Sequence, residues 1–152
     1  MTRRNYGQFC GLAHALDVVG ERWTLLIVRE LASGPKRYNQ LADALAGIGT
    51  SLLATRVRQL EADGVVQRRL VLDQPSSAVV YELTDTGFEL AEAVVPLALW
   101  GARHQMAGAS AIDETFRAEW ALGFLASGDH ADLPPDLDAD FQFHIDGSSA
   151  RL

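Results

Sequence analysis

Between residues 50 and 83 the hydrophobic periodicity changes from helical to extended, and this limits the fold more than any other feature. Leu53, Val57 and Leu60 recur at i, i+4 and i+7, the spacing of one buried helical face. Gly64 stops that helix, which is expected over about 50–63. Val65 to Leu72 is then a β-rich run, Asp73 to Ser77 has turn chemistry, and Ala78 to Leu83 reads as a return strand. The unit is an amphipathic helix leading directly into a two-stranded hairpin.

The residues before this unit also read as helices. Residues 11–19 place Leu12, Leu16 and Val19 at helical spacing, with Gly20 as the stop. A second helix is expected over 22–32, with Trp23, Leu26, Ile27 and Leu31 facing inward and Ser-Gly-Pro at 33–35 ending it. Asn39 to Leu45 forms a third, with Leu41, Ala42 and Leu45 as its inner stripe, and Ala-Gly-Ile-Gly at 46–49 breaks the chain. Third helix, short turn and fourth helix make a helix-turn-helix pattern. With the hairpin beside it, the pattern becomes a winged helix-turn-helix, whose fourth helix suits the major groove of DNA.

After the hairpin, Thr84 is a candidate N-cap and Asp85 favours the first turn of a long helix, roughly 85–106, which Pro96 should kink. That helix carries more apolar surface than one small domain covers. Leu97 and Trp100 are therefore expected at a dimer interface, together with Phe116 and Trp120 of the next amphipathic segment. The expected fold class is mainly α with a small β-hairpin: a winged helix-turn-helix with a C-terminal helical dimerisation or extension region. The domain division is 1–106 for the DNA-binding domain and 107–152 for an acidic extension. Within the extension a helix is expected at 113–127, an exposed proline-containing linker at 128–140 and a strand at 141–147. The strand, in which Phe141, Phe143 and Ile145 alternate with polar residues, is expected either to open a domain that is truncated here or to pair with another part of a dimer.

The net charge of −7 sits badly with nucleic-acid binding until it is divided along the chain. Residues 1–104 hold 11 basic and 11 acidic side chains, whereas residues 105–152 hold 2 and 9, so the excess lies in the last third. Within 34–72 the balance is 6 basic (Lys36, Arg37, Arg56, Arg58, Arg68, Arg69) against 3 acidic (Asp43, Glu61, Asp63). Local charge governs phosphate attraction, so the acidic tail does not exclude DNA. The N-terminus has no signal-peptide pattern and no apolar run approaches the ~18–20 residues that cross a bilayer. One cysteine, Cys10, rules out an internal disulfide. A cytoplasmic protein without membrane association is expected.

The face of the fourth helix opposite its apolar stripe carries Thr50, Ser51, Ala54, Thr55 and Arg58. Small residues and hydroxyls let a helix axis approach base edges and phosphates; a merely solvated face is the plain alternative. Arg58 is the first candidate contact. Arg56 lies nearer the flank and could equally pair with Glu61 or Glu30. Arg37 opens the third helix, where a phosphate contact or simple solvation both fit. Arg68 and Arg69 point to opposite faces of their strand, so at most one can approach the DNA backbone.

The ordered series of motifs resembles the HxlR-type winged-helix transcriptional regulators, relatives of the MarR group, over about residues 8–104. Its markers are Cys10, Val-Gly-Glu-Arg-Trp at 19–23, Ile-Val-Arg-Glu-Leu at 27–31 and Gly-Pro-Lys-Arg-Tyr-Asn-Gln-Leu at 34–41. Arg-Val-Arg-Gln-Leu-Glu-Ala-Asp-Gly at 56–64, Val-Val-Tyr-Glu-Leu-Thr-Asp-Thr-Gly at 79–87 and Trp100-Gly101 complete it. The resemblance implies a homodimer on a two-half-site operator, repressing or activating nearby genes, with double-stranded DNA and a second copy as partners. A small-molecule effector or a redox response is a further implication. Cys10 is the position where members of the family sense oxidants, and a buried small hydrophobe is the rival reading.

Here Gly49 stands where a serine commonly caps the recognition helix, so Thr50 is expected to take over capping. The wing tip, Asp73 to Ala78, holds no arginine or lysine, which leaves Gln74, Ser76 and Ser77 as its phosphate contacts. The segment after 141 is similar to the opening of a sterol-carrier-like domain. No phosphate loop, nucleophile elbow, paired-carboxylate motif or metal-ligand cluster is present in the sequence, so neither an enzyme nor a cofactor or metal protein is expected. The alternative function is a winged-helix protein-interaction module that does not read DNA.

Overall fold

A computed structural model describes residues 5–73, 76–106, 117, 120, 142–145 and 148–151 of the chain. Two compact units, Met1–Ala91 and Glu92–Leu152, divide it inside one helix.

The first unit runs α1 (Gly11–Val19), α2 (Thr24–Ala32), α3 (Tyr38–Ala44), α4 (Thr50–Ala62), β1 (Val66–Asp73), β2 (Ser76–Leu83) and the start of α5 (Asp85–Gln105). Ile27, Val28 and Leu31 of α2, Leu41 of α3, Leu53, Val57 and Leu60 of α4, and Val65, Val66 and Leu83 at the hairpin root form one buried cluster. Leu45, just past α3, completes it. The stripe expected on α4 is thus the one that anchors the helix.

Three residues expected on inner faces, Leu26, Leu12 and Leu16, are exposed. Leu26 is exposed, and the buried face of α2 is instead Thr24, Ile27, Val28, Glu30 and Leu31. The helix begins at Thr24 rather than residue 22, because Trp23 adopts φ 78° and sets a different rotation for the residues after it. On α1 only Ala13 is buried and Leu12 and Leu16 face solvent, because the helix meets the core through Val18 rather than through the expected stripe.

α4 ends in a Schellman motif. Gly64 N–H donates to Glu61 O (3.1 Å) and Val65 N–H to Leu60 O (2.9 Å), with Gly64 at φ 71°. Leu60 and Val65 are both buried, which supplies the apolar contact of that motif and turns the chain directly into β1. The strands pair antiparallel from Val66↔Leu83 to Asp73↔Ser76, so the connection is shorter than the expected 73–77 loop. Backbone alternation continues through Asp73 and Ser76 because both take part in the ladder. Lys36 exchanges two backbone hydrogen bonds with Tyr81 (2.9 and 2.8 Å), adding a short third pairing beside β2.

Thr84 caps α5 as the sequence implied. Its Oγ1 accepts from Gly87 N–H (3.1 Å), and its hydroxyl donates to Gly64 O (2.6 Å), joining the α5 cap to the end of α4. Leu90 and Ala91 pack against the core.

In the second unit α5 continues through Pro96 to Gln105, with Leu97, Leu99 and Trp100 exposed. The Trp100 and His104 rings lie 5.6 Å apart, one turn along the helix. β3 (Gln142–Ile145) pairs antiparallel with β4 (Ser148–Arg151), from Gln142↔Arg151 to Ile145↔Ser148. Of the strand expected at 141–147, Gln142–Ile145 is described, and it pairs with the chain's own Ser148–Arg151. The expected linker at 128–140 and, except for Arg117 and Trp120, the helix at 113–127 lie outside the described residues; so does Phe116. No helix among the described residues is long and apolar enough to cross a membrane.

Candidate nucleic-acid interface

The site is built on α4 and the elements that hold it. Burial of Leu53, Val57 and Leu60 turns Thr50, Ser51 and Arg58 outward, and all three are exposed, with Ala54 and Thr55 half-buried beside them. Thr55 Oγ1 donates to Ser51 O (2.9 Å), a backbone bond one turn back that presents its hydroxyl oxygen as an acceptor. Arg58 Nε donates to Ala54 O (3.1 Å), which lays the side chain along the helix. Among the described residues no carboxylate lies within ion-pair distance of Arg58.

The start of α4 is fixed from α3. Tyr38 Oη donates to Thr50 O (2.6 Å), bringing the first residues of the two helices together. Gly49, not Thr50, occupies the N-cap, and Thr50 is the first helical residue. The expectation of a threonine cap is corrected here: Gly49 already has the extended backbone of a cap (φ −69°, ψ 144°), which moves Thr50 into the helix. Glycine offers no side-chain acceptor, so no capping oxygen covers the first-turn N–H groups.

Arg37 caps α3 through its backbone. Its N–H donates to Gln40 Oε1 (2.7 Å), while its side chain is exposed and, among the described residues, has no carboxylate within ion-pair distance.

The other arginines of the basic stretch are engaged. Arg56 Nη2 meets Glu21 Oε2 at 2.7 Å and Nη1 donates to Gln59 Oε1 at 2.8 Å. The partners considered from sequence, Glu61 and Glu30, instead pair with Arg68 (2.6 Å) and Arg29 (2.7 Å). Arg69 pairs with Glu82 (2.9 Å) across the hairpin. Among the described residues, ion pairing thus leaves Arg37, Arg58 and Lys36 as the basic groups of the helix-turn-helix without a carboxylate partner, and the Lys36 ammonium donates to Ser33 Oγ (2.9 Å).

The wing carries an exposed apolar face. Leu70, Leu72 and Val79 lie exposed on one of its faces, with Leu70 opposite Val79 and Leu72 opposite the exposed Ser77. Ser76 closes the ladder by its backbone, and Gln74 lies outside the described residues.

Cys10 occupies the N-cap of α1 and is exposed, which corrects the reading of a buried small hydrophobe. The N–H groups of Ala13 and then Leu12 hold its thiol below the ordinary cysteine pKa by favouring the thiolate. The N-cap position itself brings these backbone donors to the thiol.

Three core helices, a helix-turn-helix whose second helix presents a free face, and an antiparallel hairpin behind it define a winged helix-turn-helix protein. The family model described as HxlR-like helix-turn-helix matches residues 18–109. The chain belongs to that family, and it is a helix-turn-helix transcriptional regulator. It is 36% identical over 91 residues to the HTH-type transcriptional regulator sll1512 of Synechocystis sp., covering 60% of this chain and 67% of that protein. The structure of the reduced transcriptional regulator YodB from B. subtilis aligns with a TM-score of 0.57 at 28% identity, covering 66% of this chain and 99% of that one. The redox regulator HypR in its oxidized form aligns with a TM-score of 0.58 at 31% identity, covering 63% and 98%.

Proposed function

We propose that the chain represses transcription as a cytoplasmic homodimer on an operator of two half-sites. α4 enters the major groove and the hairpin flanks it as the wing. The observation that carries this reading is the exposed face of α4, where Arg58 has no carboxylate partner among the described residues while neighbouring arginines are neutralised. Arg58 reads a base or phosphate, Thr50, Ser51 and Thr55 contact phosphates directly or through water, and Arg37 anchors the backbone. The functional division is 1–106 for DNA binding and dimerisation and 107–152 for an extension. Exposed Leu97 and Trp100 support burial against a second copy. Two copies place their recognition helices about 34 Å apart, one turn of duplex. The exposed Cys10 thiol at a helix N-terminus supports a redox response, and the similar protein HypR is a redox regulator.

The test is a gel shift on the promoter DNA beside the protein's own gene, at low and raised salt. A sequence-specific shift that weakens with salt is expected, and Arg58→Ala should cost roughly 1–3 kcal/mol of specific binding. No shift at low salt refutes the reading. The exposed apolar wing face then favours the second one, a module that docks on protein through Leu70, Leu72 and Val79.

A further inference from the structure

Arg56 was the ambiguous residue of the recognition helix, and its surroundings assign it a role. Its side chain is only 13% exposed on the flank of α4, between the buried stripe and the free face. The guanidinium reaches Glu21 Oε2 (2.7 Å), Gln59 Oε1 (2.8 Å) and, more weakly, Arg22 O (3.4 Å). Glu21 and Arg22 directly follow Gly20, the C-cap of α1. The next residue, Trp23, is the one described non-glycine residue with positive φ (78°), a backbone region that costs an aromatic residue energy. Trp23 packs against the core and reaches within 3.6 Å of where a Cβ on Gly47 would stand, in the turn just before α4. Arg22 lies over its ring at 5.8 Å. The short α1–α2 turn therefore touches both the approach to the recognition helix and its flank.

We infer that Arg56 is a positioning residue: with Glu21 and the Arg22 carbonyl it clamps α4 to the α1–α2 turn, setting how the recognition helix is presented to DNA. The inference rests on the DNA-binding reading above. Glu21 is 66% exposed, so Coulombic attraction in the pair is screened. The clamp depends instead on the planar fork of arginine, which meets several acceptors at once where a lysine ammonium cannot. A shift of α1 is transmitted through Glu21, one residue past its cap, to the flank of the reading helix.

The experiment measures affinity of the full chain for the promoter duplex of the gel shift by fluorescence anisotropy over a salt series. Wild type, Glu21→Gln, Arg56→Gln, Arg56→Lys and the Glu21→Gln/Arg56→Gln double variant are compared. Removing the Glu21 charge beside a polyanion should by charge alone tighten binding. The clamp predicts the opposite, a loss of about three- to fivefold, with an unchanged salt slope. Arg56→Lys should bind as weakly as Arg56→Gln, and the double variant no more weakly than either single change. A wild-type shift with Glu21→Gln binding as tightly as wild type, or more tightly, overturns the clamp alone. So does an Arg56→Gln salt slope reduced by about 0.9 and restored by lysine, the signature of a phosphate contact. Absence of any wild-type shift overturns the DNA-binding reading and, with it, the clamp's role. Hydrogen exchange needs no DNA: the amides of Gly20 to Thr24 should exchange faster in Glu21→Gln, and unchanged exchange there also counts against the clamp.

Discussion

Replacing Gly87 with alanine should destabilise the fold at the junction between the wing and the long helix, although alanine is the better helix former. Gly87 is buried in the first turn of α5. A methyl group added there overlaps the Val65 carbonyl oxygen and lies 3.0 Å from Leu83 Cβ. That carbonyl is not free to move. It accepts from Thr84 N–H at 3.1 Å and lies 3.3 Å from Thr84 Oγ1, and Val65 and Leu83 are both core residues. Overpacking against backbone costs about 1–3 kcal/mol, and disturbing the Thr84 cap costs about 1 more. The gain in helix propensity returns about 1 kcal/mol. The net expectation is a loss of roughly 2 kcal/mol.

Urea titration followed by far-UV circular dichroism, at fixed protein concentration, reads this as a lower midpoint at unchanged slope. Gly101→Ala supplies the control within the same helix. Nothing lies within 4 Å of a Cβ there, so the same substitution should stabilise by about 0.5–1 kcal/mol. A Gly87→Ala variant as stable as wild type, beside a stabilised Gly101→Ala, refutes the close approach of α5 to the hairpin root.

The remaining predictions concern the reactive thiol and the assembly. Alkylation of Cys10 by iodoacetamide should titrate with a midpoint below that of the urea-unfolded chain, because the Ala13 and Leu12 N–H groups favour the reactive thiolate; equal midpoints contradict this. Cys10→Ser keeps an acceptor at the cap, so it should abolish oxidant-dependent cross-linking between chains without lowering thermal stability. Trp100→Glu should raise the dimer dissociation constant by about 30-fold in sedimentation equilibrium, since an exposed tryptophan at a homodimer interface is expected to act as a hot spot. A wild type that sediments as a monomer would remove the dimer reading.

Local signals in the chain determined the helices, the hairpin and the buried stripe of α4. Leu53, Val57 and Leu60, the stop at Gly64 and the Thr84 cap each depend on a few adjacent residues, so spacing and side-chain type suffice to read them. Residue types in order likewise supported the family. Tertiary structure alone decided which arginines remain unpaired, because Glu21 lies 35 residues from Arg56 and Glu82 lies 13 from Arg69. The same holds for the outward turn of Leu26 after the left-handed Trp23, and for the closeness of Gly87 to Val65. Side-chain pairing and packing depend on separations through space, and those exist only once the helices and the hairpin have closed on one core.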